Sequence, residues 1–228
     1  MAGPDPATHP VRIDSAEITR LINTGQAPPS EWIPNTVELQ LERSYITDLR
    51  PLAALTSLRR LYLTRSRIND ISPLASLIHL QRLHLSFTAV SDITPLAGMT
   101  ELSGCYLTGS LVVDIAPLAA LTNLERLDLG DTQISDAAPL SKLRNLHSLD
   151  LSNTRITDVS PLADLINLEY LDLTNAPITD LSPLAGLPAL RWLTILGTGA
   201  DISMLSHLSG CQIITIPMMR RQRLSPAQ

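Results

Sequence analysis

At 228 residues the chain has the length of one domain or a small pair. Its net charge of −5 argues against a nucleic-acid binder, which carries a basic balance, and no apolar run approaches the roughly 18 residues that suggest a membrane span. With 44% hydrophobic but only 3% aromatic residues, aliphatic side chains must form the core, and two cysteines are too few for a disulfide framework.

Residues 1–10 are polar, small and proline-rich and read as a flexible lead. Ile13 to Ile22 then carry a helical stripe, Ile18, Leu21 and Ile22, spaced i, i+3, i+4. Asp14 or Ser15 can cap this helix, and Glu17 suits the positive end of its dipole. Thr24-Gly25 stops it, and Pro28-Pro29 prevents a restart. With Trp32 and Ile33, the helix is the expected cover for the raw end of the array that follows, so residues 1–35 are read as lead and N-terminal cap.

From residue 36 to 190 the sequence repeats with a period of 22. Leu124, Leu127, Leu129, Thr132, Ile134, Asp136, Pro139, Leu140 and Leu143 recur as Leu146, Leu149, Leu151, Thr154, Ile156, Asp158, Pro161, Leu162 and Leu165, and again from Leu168 to Leu187. Seven of the seventeen prolines fall at this one repeat position, so the proline content marks periodicity rather than disorder. Seven full units fit the register.

Each unit has a physical reading. The alternating L-x-L core, as in Leu61-Tyr62-Leu63, is a short strand. Stacked units then give a parallel sheet with strands about 4.8 Å apart. A structural cap is expected at Asp48, Asp70, Asp92, Asp114, Asp136, Asp158 and Asp180, each accepting backbone N–H groups ahead of Pro-Leu. Proline stands early in the turn, where its missing N–H costs nothing. A period of 22 leaves room only for a turn or 3₁₀ piece on the far side. The expected fold is an α/β solenoid, a right-handed arc with a concave parallel sheet and a short 3₁₀ convex side.

The array degrades after Leu190. Asp201-Ile202-Ser203-Met204-Leu205 echoes Asp180 to Leu184 one residue early, and Leu208 follows in the shortened register. Cys211, Ile214 and Ile216 are expected to start one last coil that Pro217 ends, so the repeat domain is read as 36–217 with a degenerate C-terminal cap. Residues 218–228 form a short basic tail.

The motif Thr-x-Ile-x-Asp-x-x-Pro-Leu, as in Thr154 to Leu162, resembles the 22-residue leucine-rich repeats of bacterial internalins. The resemblance covers residues 36–217. It implies a non-catalytic protein-binding module that uses the concave face, internalin-like or secreted-effector-like. The alternative is an intracellular regulatory or structural subunit resembling phosphatase-binding leucine-rich-repeat proteins. A monomer with a protein ligand, no nucleic acid and no cofactor is expected.

Residues pointing outward from the strands form columns. One runs Gln40, Tyr62, His84, Tyr106, Asp128, Asp150, Asp172, Thr194; the column before it runs Glu38, Arg60, Arg82, Gly104, Arg126, Ser148, Tyr170, Trp192. Further along the same face come Arg43, Arg65, Phe87, Gly109, Asp131, Asn153 and Asn175. The candidate protein-binding residues are therefore Arg60, Tyr62, Arg65, Arg82, His84, Phe87 and Tyr106 in a basic and aromatic half, and Asp128, Asp150, Asp172, Tyr170 and Trp192 in an acidic half. Arginine and aromatic residues are the usual interface anchors.

Catalytic and metal chemistry find no pattern. The histidines His9, His79, His84, His147 and His207 fall in different columns or far apart, so they form no zinc set. Three carboxylates in a row, Asp128, Asp150 and Asp172, lack a loop to wrap a cation. Cys105 takes a strand-leucine slot and Cys211 is assigned a core slot in the final coil. Both are expected to be buried thiols, about 23 Å apart at sheet spacing and so unbonded.

Overall fold

A computed structural model of the protein describes residues 15–205 and 210–215. The lead at 1–10, the possible cap at Asp14, His9, His207, Leu208, Ile216, Pro217 and the tail at 218–228 lie outside the described residues.

The chain begins with helix α1 (Ser15–Asn23), whose Ile18, Leu21 and Ile22 are buried. It ends in a Schellman motif. Gly25, at φ +65°, donates to Ile22 O at 3.1 Å while Gln26 N donates to Leu21 O at 2.9 Å. The helix packs on the first 3₁₀ turn of the repeats, Arg50–Ala54, and with Trp32, in the short 3₁₀ turn Ser30–Trp32, it joins the core at the open end of the array.

Among the described residues nine three-residue strands follow: β1 (Glu38–Gln40), β2 (Arg60–Tyr62), β3 (Arg82–His84), β4 (Gly104–Tyr106), β5 (Arg126–Asp128), β6 (Ser148–Asp150), β7 (Tyr170–Asp172), β8 (Trp192–Thr194) and β9 (Gln212–Ile214). They form one parallel sheet in sequence order. From β1 to β8 each residue pairs with the one 22 positions on, as Leu39 with Leu61 and Leu61 with Leu83. Parallel pairing of consecutive strands requires a crossover in every unit, which is right-handed almost without exception. The result is a right-handed solenoid arc with the sheet along its concave side. The strand leucines turn inward and are fully buried, as are Leu52, Leu74, Leu96, Leu118, Leu140, Leu162 and Leu184 from the opposite turns. One continuous aliphatic core runs between sheet and turns.

The convex side is a row of 3₁₀ turns with proline at their second residue, as in Ser72–Ser76 and Ala116–Ala120. Asp48 Oδ1 accepts the Arg50 N–H at 2.9 Å. Asp70, Asp92, Asp114, Asp136, Asp158 and Asp180 each accept the N–H two residues on at 2.8 Å. The acceptor does not head the turn itself. It stands one residue before the turn's flanking residue, so each aspartate spans Leu49 or its equivalent to reach the first 3₁₀ N–H. A second ladder lies inside the coil: the Ser66, Thr88, Thr132 and Thr154 hydroxyls are buried and each donates to the carbonyl three residues back, at 2.6–2.7 Å. This accounts for a small hydroxyl residue in a core column.

The end of the array differs from the expected register. Asp201 Oδ1 accepts Ser203 N–H at 2.8 Å, so the shortened turn keeps its carboxylate. The next strand then pairs Leu193 with Ile213, a step of 20 rather than 22. Ile213, not Ile214, therefore stands in the leucine slot. Cys211 takes the place held by Arg191 and Glu169 in preceding coils and is only half-buried, which corrects its expected burial. Both cysteines are free.

Candidate functional site

The outward residues of neighbouring strands share one surface because the 22-residue register aligns them. Arg60 pairs with Arg82 and Tyr62 with His84 across β2 and β3, and His84 with Tyr106 across β3 and β4. These three rings stack. The Tyr62 and His84 centroids are 4.5 Å apart with planes at 23°, and those of His84 and Tyr106 are 4.0 Å apart at 11°. The stack ends where Asp128 replaces the next ring. Burial pushes the His84 imidazole below its ordinary value, Arg82 adds to this, and Glu42 and Asp128 oppose it.

Two glycines that sequence reading passed over shape this platform. A β-carbon on Gly104 would meet Tyr106 Cε2 at 3.2 Å and its hydroxyl at 3.4 Å, so the Tyr106 ring leans across β4 into the place of a missing side chain. Gly109 lies under the Phe87 ring in the same way. The available signal was the double interruption of two outward columns by glycine in a single unit.

Arg65 and Phe87 lie just past the strands. With Arg43, Asp131, Asn153 and Asn175 they occupy a left-handed corner just past each strand, at φ between 53° and 58°. Gly109 and Gly197 hold the same corner at φ 62° and 73°. The Arg65 guanidinium carbon sits 5.0 Å from the Phe87 ring centroid, a cation–π contact. Arg67, two residues past Arg65 in the same coil, covers the Tyr45 ring at 4.7 Å. Arg60 is tied to Glu38 on β1 through an ion pair of 2.5 Å, and Arg60 and Gln40 hold the Glu38 carboxyl below its usual range.

The acidic half has an internal duty. Asp128 Oδ1 accepts the Gly130 N–H at 3.2 Å, and Asp150 and Asp172 accept those of Ser152 and Thr174 at 2.8 Å. These bonds fix the turn that leads into the left-handed corner. Burial pushes the Asp150 carboxyl above its usual range against its bonds to Ser152, and the charges of Asp128 and Asp172 push it further. The Tyr170 hydroxyl donates to Asp172 Oδ2 at 3.3 Å, and Tyr170 and Trp192 are exposed neighbours on β7 and β8. Asp48 and its six equivalents stand apart from this face, at the turns on the far side of each coil. Among the described residues no group of three histidine, cysteine or acidic side chains is arranged to hold a metal ion, and no helix is long and apolar enough to cross a membrane.

Comparison with known proteins agrees with this architecture. The family described as Leucine Rich repeats (2 copies) matches residues 56–98 and 144–206, and the family described as Leucine Rich repeat matches 120–138. No curated protein sequence matches the chain. Among solved structures, internalin C2 from Listeria monocytogenes is 39% identical, with a TM-score of 0.70, over 72% of this chain and 73% of that one. Internalin InlF from the same organism is 25% identical, with a TM-score of 0.62, over 89% and 73%. A plant peptide hormone receptor, RGFR1, solved in complex with RGF2, shares the fold at 14% identity and a TM-score of 0.69, over 78% and 32%. The 22-residue register, the carboxylate-capped 3₁₀ turns and the 39% identity over most of both chains place this protein in the internalin-like family of leucine-rich-repeat proteins.

Proposed function

We propose that this protein is a non-catalytic protein-binding module of internalin-like or secreted-effector-like type, whose main contact is the N-terminal half of the strand-side face. Leucine-rich-repeat proteins are generally binding modules without catalytic activity, and the plant receptor with this fold was solved with its peptide hormone bound. The observation that carries the reading is the Tyr62–His84–Tyr106 stack. Its rings are held against one another before any partner arrives, so little side-chain entropy remains to be lost on binding. Solubility alone does not call for rings here, since lysine or glutamate would serve it better. Arg60 and Arg82 flank the stack, and Phe87 extends it toward the corner row. Tyr170 and Trp192, with the acidic ladder, form the far end of the same face and orient a partner through opposite charge.

A photo-crosslinking amino acid placed at position 84, compared with one at position 158 on the turn side, tests the reading. The expected result is a discrete crosslinked protein from position 84 and none from position 158. The reverse pattern would assign binding to the convex side.

A further inference from the structure

We propose that the corner residues Arg43 and Arg65, together with Arg82 on β3, read carboxylates on an acidic, extended segment of the partner. The inference deepens the contact face proposed above and rests on it.

Two independent observations carry it. The first is backbone conformation. In the left-handed corner, units toward the C-terminus use Asp131, Asn153, Asn175 and Gly197. Glycine, asparagine and aspartate enter this region most readily among the residues. The first three corners instead hold Arg43, Arg65 and Phe87 at φ 53°, 58° and 56°. Bulky side chains are thus kept in strained conformations on the proposed face, where asparagine would fold more easily. Persistent strain of this kind collects at functional sites.

The second observation is charge pairing. Elsewhere four arginines meet acids, Arg50 with Asp48, Arg59 with Glu101, Arg144 with Asp164 and Arg191 with Glu169, all within 4 Å, while Arg20, Arg126 and Arg155 make no ion pair among the described residues. Among the described residues Arg43, Arg65 and Arg82 form no ion pair. The neighbouring acid on β1, Glu38, is already held by Arg60. The acidic ladder is occupied too, since its Oδ1 atoms accept backbone N–H groups. Arg65 is also steadied over Phe87, which pre-sets its guanidinium and leaves its N–H fork available. An arginine fork matches a carboxylate in two parallel hydrogen bonds. Successive corners lie about 4.8 Å apart, and alternate side chains of an extended chain recur about every 6.6 Å. Long arginine side chains span that difference, so a segment running along the solenoid axis meets them in turn. The ladder of Asp128, Asp150 and Asp172 repels the same segment beyond β4, which fixes where it stops.

The test uses decaglutamate as the probe, titrated into the full chain at low and moderate salt, with chemical-shift mapping of the His84 ring. Binding that perturbs His84, weakens with salt and falls about fivefold or more in Arg43→Asn and Arg82→Gln supports the proposal. Arg43→Asn relieves the strained corner, so weaker binding by that variant cannot be ascribed to unfolding. Absence of binding, or binding by both variants equal to that of wild type, would overturn the proposal, as would a preference for decathymidylate over decaglutamate. A neutral tyrosine-serine peptide that binds, ignores the arginine changes and is lost on Tyr62→Ala with Tyr106→Ala would also overturn it while leaving the contact face standing. Perturbation confined to residues away from β1–β4 and their corners would count against both.

Discussion

The Phe87 ring lies over Gly109 so closely that a β-carbon there would sit 2.6 Å from Phe87 Cδ1 and 2.8 Å from Cε1. Gly109 also holds φ +62°, so the missing side chain serves backbone and ring together. Gly109→Ala is expected to cost about 1–2 kcal/mol through the left-handed corner alone, and to displace Phe87 and with it Arg65. Urea unfolding reads the first effect and the aromatic proton shifts of Phe87 read the second. An unchanged midpoint with unchanged shifts would mean the corner accepts a β-carbon freely.

Arg43→Asn should raise stability, by about 0.5–1 kcal/mol, because asparagine enters the left-handed region more easily than arginine. No ion pair is lost, since Arg43 makes none among the described residues. A higher thermal midpoint is the expected outcome. A lower one would show that the arginine side chain stabilises the fold through contacts of its own.

Asp150→Asn should stabilise the protein at neutral pH. Its carboxyl is raised above the ordinary value of 3.8 by burial and by the charges of Asp128 and Asp172. A raised folded-state value means that the native protein binds the proton more tightly than the unfolded chain. The favourable contribution is therefore complete below 3.8 and is lost as pH rises through the folded-state value. Asparagine keeps an Oδ1 for the Ser152 N–H and removes the charge. Unfolding midpoints of wild type and variant should converge as pH falls toward 3.8 and separate above it. Parallel curves would remove the electrostatic explanation.

The cysteines should differ in reactivity. Cys105 is fully buried in a strand-leucine slot, and burial pushes its thiol up to about 12. Cys211 is only half-buried, and burial raises its thiol as well. In the native protein a thiol reagent should label Cys211 well before Cys105, and Cys105 only on denaturation. Equal rates would contradict the register that sets Leu193 opposite Ile213.

The parts of this fold that were legible in the sequence are those that repeat. Leucine periodicity locates β1 to β8 and the opposing turns because every coil solves the same packing problem at the same positions. The final coil was misread because it has no successor to enforce the period, so a step of 20 fits as well as one near 22. The backbone of the corner row was not legible for a different reason. Arg43, Arg65 and Phe87 follow a strand and look outward, but nothing in those residue types announces a left-handed backbone, whereas Asn153 and Asn175 in the same column hint at it. The Tyr62–His84–Tyr106 column was visible, yet its stacking depends on Gly104 and on strand spacing, which only the assembled sheet supplies.

The central claim is that the ring stack is the energetic centre of a protein-binding face. Calorimetric titration of a crosslink-identified partner into wild type and into the Tyr62→Ala, Tyr106→Ala double variant tests it most directly. Both rings lie outside the aliphatic core, so the variant should keep a cooperative unfolding transition. The account predicts that its binding weakens by at least about 2 kcal/mol, the mark of hot-spot residues. An affinity equal to wild type in a folded double variant would contradict it.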